Sequence, residues 1–219
     1  MTSHEHHEQT GTASEFWETF YGESERWAPG RVNPVMAATV EPLPAGRALD
    51  LGCGEGGDAV WLAAHGWDVT AVDVSNVALE RAASRADDAG VGARITWERH
   101  DLEKSLPVGD FDLVSAQFLQ SPVDFAREQV LRSAATLVAP GGLLLVVAHA
   151  AFPPWHDGPD HDTHFPTPDE ELDALALPPT RWRTDRAEIV EREGTAPDGT
   201  PATLFDSVVA LTRLTGTEA

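Results

Sequence analysis

The sequence predicts an α/β fold: a doubly wound sheet of seven strands, mostly parallel, closed by a C-terminal antiparallel pair and preceded by a helical cap. Three observations carry that reading. Apolar strand-like runs alternate with amphipathic segments between residues 47 and 148, the pattern that builds a parallel sheet with helices on both faces. The first run ends in a cluster of Gly52, Gly54, Gly56 and Gly57 that opens a helix. Two further strand-like runs, near 181–192 and 203–213, are joined by the turn segment TAPDGTP, which suits an antiparallel pair rather than another strand–helix unit.

The elements follow in order. Residues 1–11 are polar and rich in His and Glu, and read as a disordered tail. Thr12 and Glu15 form a capping-box pattern, the reciprocal pairing that starts a helix. That helix places Phe16, Trp17, Phe20 and Tyr21 on one face and ends at Tyr21-Gly22. A loop with Trp27 leads to a short helix from Pro34 to Val40, and Pro42 and Pro44 break the chain. Strands are expected at 47–51, 67–73, 94–99, 111–116 and 142–148, and helices at 57–65, 76–89 and 123–138. Ala78, Leu79, Ala82, Ala83 and Ala86 make one stripe of the second of these helices. Pro140-Gly141-Gly142 reads as a turn feeding the fifth strand. Residues 151–166 form a loop rich in Pro, His, Asp and Gly. Thr167-Pro168-Asp169-Glu170 then starts a last helix with a cap, a proline at its first position and an acid at its third. One domain spans 12–219: a cap (12–44), a core (45–150), and a late loop with closing strands (151–219).

Composition narrows the function. The 219 residues carry 36 acidic and 15 basic side chains, a net charge of −21. Such a field repels nucleic acid and anionic membranes. The fourth strand runs into SAQFLQSP, which is not the Asn/Asp-Pro-Pro-aromatic arrangement of enzymes that methylate base amines. No apolar run approaches the length of a membrane span. The N-terminal residues lack the pattern of a secretory signal. Cys53 is the single cysteine, so no intramolecular disulfide forms, and a cytoplasmic location follows.

The glycine loop is where ligand chemistry is written. A strand, a tight glycine loop and a helix let a ligand approach the backbone closely and present helix N-terminal amides to it. Gly52, Gly54 and Gly57 also satisfy G-x-G-x-x-G, which alone would suggest a dinucleotide. Asp50, two residues before the first glycine, argues otherwise. A pyrophosphate gains nothing from a carboxylate there, whereas a ligand with an ammonium group does. The second strand ends in Asp73, about twenty residues on, where an acid can bond ribose hydroxyls. A ribose joined to a cationic tail without phosphate is the ligand these residues describe.

The run DLGCGEG resembles the first motif of the class I S-adenosylmethionine-dependent methyltransferases. VTAVDVS resembles their second motif, RHDLEKSLP the adenine-contacting segment, and FDLVSAQFLQSP with LVAPGGLLLVVAHA their fourth strand, helix and fifth strand. The resemblance covers residues 45 to 150 and implies a Rossmann-like fold with S-adenosylmethionine as cofactor. It implies Asp50 near the methionine ammonium, the backbone of Gly52 and Gly54 along the cofactor, and Asp73 on the ribose. Val74 would pack on the adenine, Asp101 would accept from its amine, Leu102 would give its N–H or pack on the ring, and Gln117 would face the methionine end. Strand-end capping of loop amides is the competing role for Asp50, Asp73 and Asp101.

Methyl transfer from a sulfonium is an in-line displacement with a neutral leaving group, so alignment and exclusion of water are the protein's main tasks. A thiol or other soft nucleophile needs least help, and the expected acceptor is a small molecule of that kind. W-x-x-x-Y ahead of W-x-x-G-x-x-N-P resembles the thiopurine and tellurite-resistance type of methyltransferase. Tyr21 and Trp27 are candidate substrate contacts, and an aromatic face beside the sulfonium would add about 0.5–2 kcal/mol of cation–π attraction. An O- or N-methyltransferase of an aromatic metabolite is the first alternative, with His149 at the end of the fifth strand as base. A cofactor-binding protein without turnover is the second, and a nicotinamide enzyme the third. His156, His161 and His164 with Asp157, Asp160 and Asp162 fit no established zinc spacing, so no metal is expected, and their loop reads as a substrate lid. No motif marks the acceptor or the oligomeric state.

Overall fold

A computed structural model describes residues 11–23, 30–156 and 164–216. The tail 1–10, Trp27 and most of the histidine-rich loop lie outside the described residues. Seven strands form one sheet: β1 (Arg47–Leu51), β2 (Asp68–Asp73), β3 (Ile95–Arg99), β4 (Phe111–Gln117), β5 (Val138–His149), β6 (Trp182–Thr195) and β7 (Pro201–Arg213). Their order is β3-β2-β1-β4-β5-β7-β6. The first five are parallel, and β7 lies antiparallel between β5 and β6. This is the doubly wound, Rossmann-like sheet the alternation predicts.

Helices α1 (Ala13–Glu23), α2 (Pro34–Val40), α3 (Gly57–Ala64), α4 (Asn76–Asp88), α5 (Arg127–Ala135) and α6 (Pro168–Leu175) cover the sheet. The strands alternate strictly between two cores. Ala48, Leu113, Leu145, Val147, Val208 and Ala210 pack with Met36 and Val40 of α2 and Leu62 of α3. Leu49, Val114, Leu144, Val146 and Val209 pack with Leu131 of α5 and Leu175 of α6 on the other face. A period of two along each buried strand is what divides the residues this way.

Local signals placed the helix starts. Thr12 and Glu15 form the expected reciprocal cap, with Glu15 Oε2 accepting from Thr12 N at 2.9 Å and Thr12 Oγ1 from Glu15 N at 3.3 Å. Thr167 and Glu170 do the same for α6. Asn33 caps α2 by accepting from Val35 N at 2.8 Å, ahead of Pro34 at the first helical position.

Several boundaries differ from the expectation. α1 runs on through Gly22 to Glu23. α5 covers Arg127–Ala135 rather than 123–138, and Ser121 and Phe125 ahead of it line a cleft instead. β5 starts at Val138 rather than 142. Pro140-Gly141-Gly142 is absorbed as an irregularity in which the pairing slips between Phe111 and Leu113, with Gly141 at φ 84°. β6 is the outer strand, 14 residues long, and its own pairing slips between Thr184 and Arg186.

Candidate active site

The sheet order reverses at β1, with β2 on one side and β4 on the other. A crevice opens there at the strands' carboxyl ends, where open α/β sheets bind ligands. The cleft is lined by Gly52 from the loop after β1, Asp73 and Val74 after β2, His100, Asp101 and Leu102 after β3, and Phe118 to Ser121 after β4. Helix α1 closes it from above with Ala13, Ser14, Trp17 and Tyr21. Glu18 of α1 accepts from Asn76 N, the first residue of α4, at 2.9 Å, which ties the cap to the core.

The loop after β1 needs its glycines. Gly52 and Gly54 adopt φ 67° and 50°, in the left-handed region. A Cβ on Gly52 would meet Leu119 Cδ1 at 2.6 Å, and one on Gly54 would meet the Tyr21 hydroxyl at 2.8 Å. Asp73 organises the loop from below. Its Oδ2 accepts from Gly54 N and its Oδ1 from Ser75 N, each at 2.9 Å. Capping and cleft lining therefore coexist in one carboxylate, since each oxygen has a second lone pair.

Asp50 differs from Asp73. It is 2% exposed, and its Oδ2 has no hydrogen-bond partner among the described residues. Burial, followed by the neighbouring charges of Asp58 and Asp73, pushes its carboxyl well above the usual range. Burial also raises Asp73, against the amide bonds that lower it, and lifts Asp58 to about 6. The same burial and carboxylates push the Cys53 thiol up, and burial with Asp73 holds the Tyr21 phenol protonated. Asp50 and Asp73 are buried and Asp58 part-buried; with no ion pair to any of the three among the described residues, the group gains from a positively charged ligand. An amino-acid ammonium with a sulfonium meets that requirement, and a pyrophosphate does not.

At the other side of the cleft Asp101 is half committed. Its Oδ2 takes Lys104 Nζ at 2.6 Å and its Oδ1 the Glu103 amide at 3.2 Å. His100 beside it is held by Ser105 Oγ at 2.8 Å and Glu98 Oε2 at 2.9 Å.

Beyond β4 the chain turns abruptly. Phe118 has φ 53°, a strained value for a bulky aromatic and one that clusters at functional sites. The turn aims Phe118 at the cleft and stacks it on the His149 ring, centroids 4.2 Å apart. His149 N donates to Gln120 Oε1 at 2.8 Å. Burial lowers the His149 pKa, Asp206 opposes that, and Arg192 adds to it. Its Nδ1 lies 4.0 Å from Asp206 Oδ1.

The structure thus brings Tyr21, Gly52, Asp73, Val74, Asp101 and Leu102 around one cleft; Asp50, Gly54 and His149 do not line it, Asp50 being buried at the end of β1, Gly54 packed under Tyr21 and His149 stacked on Phe118. Gln117 is buried; its amide donates to Ser115 Oγ at 2.8 Å, and its Oε1 is unpartnered among the described residues. Gln120 is the glutamine that lines the cleft. Sequence reasoning missed Phe118, Gln120, His100 and Asp206. For Asp206 a signal existed: an acid opening the apolar run SVVAL, opposite the histidine closing LLLVVAH. Among the described residues no group of three or more His, Cys, Asp or Glu is placed to hold a metal.

Residues 48–142 match the methyltransferase domain family. A 2-heptyl-1-hydroxyquinolin-4(1H)-one methyltransferase of Mycobacteroides abscessus is 30% identical over 82% of this chain and 72% of its own length. Thiocyanate methyltransferase 1 of Brassica oleracea is 36% identical over 40% of each chain. A solved structure reported for the conversion of a disulfide bond into a thioacetal group during echinomycin biosynthesis superposes with a TM-score of 0.71 at 22% identity, over 92% of this chain and 93% of that one. That last likeness is one of fold. The chain belongs to the class I S-adenosylmethionine-dependent methyltransferases: it is a methyltransferase enzyme, and S-adenosylmethionine is its cofactor. The nicotinamide alternative and the binder without turnover are thereby set aside.

Proposed function

We propose that this enzyme methylates a hydroxyl or other protic heteroatom of a small aromatic molecule, with His149 taking the proton. The single observation behind this reading is the His149 ring, about half exposed and stacked on Phe118 of the cleft wall, where its partial burial favours the neutral form. A hydroxyl is a poor nucleophile until its proton leaves, and a neutral imidazole is suited to take it near pH 7. The quinolone methyltransferase relative, whose named substrate is a planar N-hydroxy compound, supports the same acceptor class.

The cofactor supplies an electrophilic methyl on a cationic sulfur. In this reading Asp50 receives the ammonium and Asp73 the ribose hydroxyls. Val74 and Leu102 hold the adenine, and Asp101 accepts from its amine. Gly52 and Gly54 pass the backbone along the cofactor, and the free Oε1 of Gln117 serves the methionine end. Tyr21 borders the acceptor. With the cofactor supplying the methyl group, His149 would take the proton that the acceptor oxygen gives up on methylation. The net charge of −21 weighs against nucleic acid and anionic membrane partners, and among the described residues no helix is long and apolar enough to cross a membrane. The reading keeps the enzyme in the cytoplasm, on the strength of its single cysteine.

A thiol or other soft nucleophile is the second reading, favoured by the thiocyanate methyltransferase relative. One assay separates the two. Release of S-adenosylhomocysteine is measured with pooled phenols and N-hydroxy heterocycles, thiols and chalcogen anions, for the wild type and His149→Ala. The first reading expects turnover in the hydroxyl pool and a drop of roughly 10²-fold or more in His149→Ala with cofactor affinity kept. Turnover confined to thiols, or unaffected by His149→Ala, overturns it.

A further inference from the structure

His149, Asp206 and Arg192 occupy three neighbouring strands on the same face of the sheet as Asp50. His149 closes β5 and pairs with Asp206 of β7, which pairs with Val190 of β6, two residues before Arg192. Asp206 is fully buried. Its Oδ2 takes Arg192 Nε at 2.5 Å, while its Oδ1 has no hydrogen-bond partner among the described residues and stands 4.0 Å from His149 Nδ1. A buried carboxylate oxygen without a partner is costly, so its persistence beside an imidazole nitrogen calls for an explanation. At 4.0 Å the two atoms are too far apart for a hydrogen bond and within ion-pair reach only once the imidazole is protonated, and such contacts at catalytic groups commonly tighten when the reactants bind. Arg192 also places its guanidinium 5.4 Å from the centroid of the Phe118 ring on which His149 stacks.

We propose that Asp206 is the positioning residue of His149: it fixes the ring with Nδ1 inward, leaves Nε2 for the acceptor's proton, and stabilises the imidazolium formed as the methyl is transferred, while Arg192 holds Asp206 in place. The inference rests on the reading of His149 as base. Among the described residues, the charged groups that face His149 are Asp206 from β7 and Arg192 from β6. From the β4 side it meets Phe118 and Gln120, neither of which titrates near neutrality. The carboxylate stabilises the protonated ring and the guanidinium opposes it, so the two residues act on His149 with opposite sign.

That opposition is the test. The His149 ring resonances are followed by NMR against pH in the full chain, assigned by their loss in His149→Gln, for the wild type, Asp206→Asn and Arg192→Gln. The titration midpoint is expected to fall by about half a unit or more in Asp206→Asn and to rise in Arg192→Gln. With it, kcat of Asp206→Asn should fall roughly 10-fold or more while KM for S-adenosylmethionine stays put. If Asp206→Asn does not fold, the double variant Arg192→Gln/Asp206→Asn removes both charges of the pair. Its His149 midpoint must then lie below that of Arg192→Gln. An unchanged midpoint in every variant overturns the assignment, whatever His149 does in catalysis. Midpoints that move as expected while His149→Ala turns over at the wild-type rate would leave the contact but overturn its part in the reaction, and with it the reading of His149 as base.

Discussion

The Tyr21 hydroxyl stands over Gly54 so closely that a β-carbon there would lie 2.8 Å from its oxygen. The cap and the glycine loop are therefore fitted to one another, and the fit makes a two-residue prediction. Gly54→Ala should weaken S-adenosylmethionine binding, because the left-handed backbone costs about 1–2 kcal/mol with a side chain and the methyl collides with the phenol. Tyr21→Phe removes the colliding oxygen. The double variant should therefore bind better than the sum of the two single changes predicts, as calorimetry would show.

Asp73→Ala should lower cofactor affinity by about 1–3 kcal/mol, as loss of a charged acceptor does, and should also loosen the loop, since Gly54 N and Ser75 N both lose their acceptor. Asp73→Asn keeps one of the two acceptor oxygens. It should regain part of the melting temperature but little of the affinity, a split that thermal denaturation and binding measured side by side would reveal.

Asp58 gives a stability prediction with a definite sign. Its folded pKa of about 6 stands above the ordinary 3.8 because burial disfavours the anion. A raised carboxyl favours the fold at low pH, and that contribution is lost as pH rises through about 6. Asp58→Asn should thus stabilise the cofactor-free protein near pH 7.5, by on the order of 1–3 kcal/mol, with the gain vanishing toward pH 4. The Asn33 amide, now donating to Asp58 at 2.7 Å, keeps an acceptor in that variant. Melting temperatures at the two pH values check it.

For His149 the direction is downward, with burial the leading cause. A base works only when neutral, so the rate should climb with pH through a midpoint below 6.5 and be flat at pH 7. A limb centred above 7 would contradict the environment described for this ring.

Arg127 and Glu171 join α5 to α6 at 2.7 Å, with only 13% and 2% of their side chains exposed. Arg127→Ala leaves the Glu171 charge buried alone and should cost about 3–5 kcal/mol of stability. Neither side chain lines the cofactor cleft, so cofactor affinity at temperatures below the transition should change little.

The legible parts of this molecule were the ones encoded locally. Thr12 with Glu15, and Thr167 with Glu170, announce helix starts because capping needs only residues three apart. The loop from Asp50 to Gly57 announces a ligand site because only glycine tolerates its backbone angles. What stayed hidden is set by tertiary packing. Nothing local says that Phe118 adopts a left-handed conformation, since the sheet above and the cleft below impose it. The partnership of His149 with Asp206 joins residues far apart in the chain that meet only once β7 is threaded between β5 and β6. Nothing local keeps residues 123–126 out of the helix expected over 123–138, yet the helix starts at Arg127 and Phe125 walls the cleft.

The outer strand β6 has a consequence for the protein in concentrated solution. Fourteen residues of unpaired strand edge are a template on which another chain can add and begin to aggregate. Here that strand carries Arg183, Asp185, Arg186, Glu188, Glu191 and Glu193, and the slip after Thr184 bends it. Charges of both signs, several joined to one another within the strand, stay hydrated at the edge. A second copy arriving there would have to strip their water before it gained a single ladder bond.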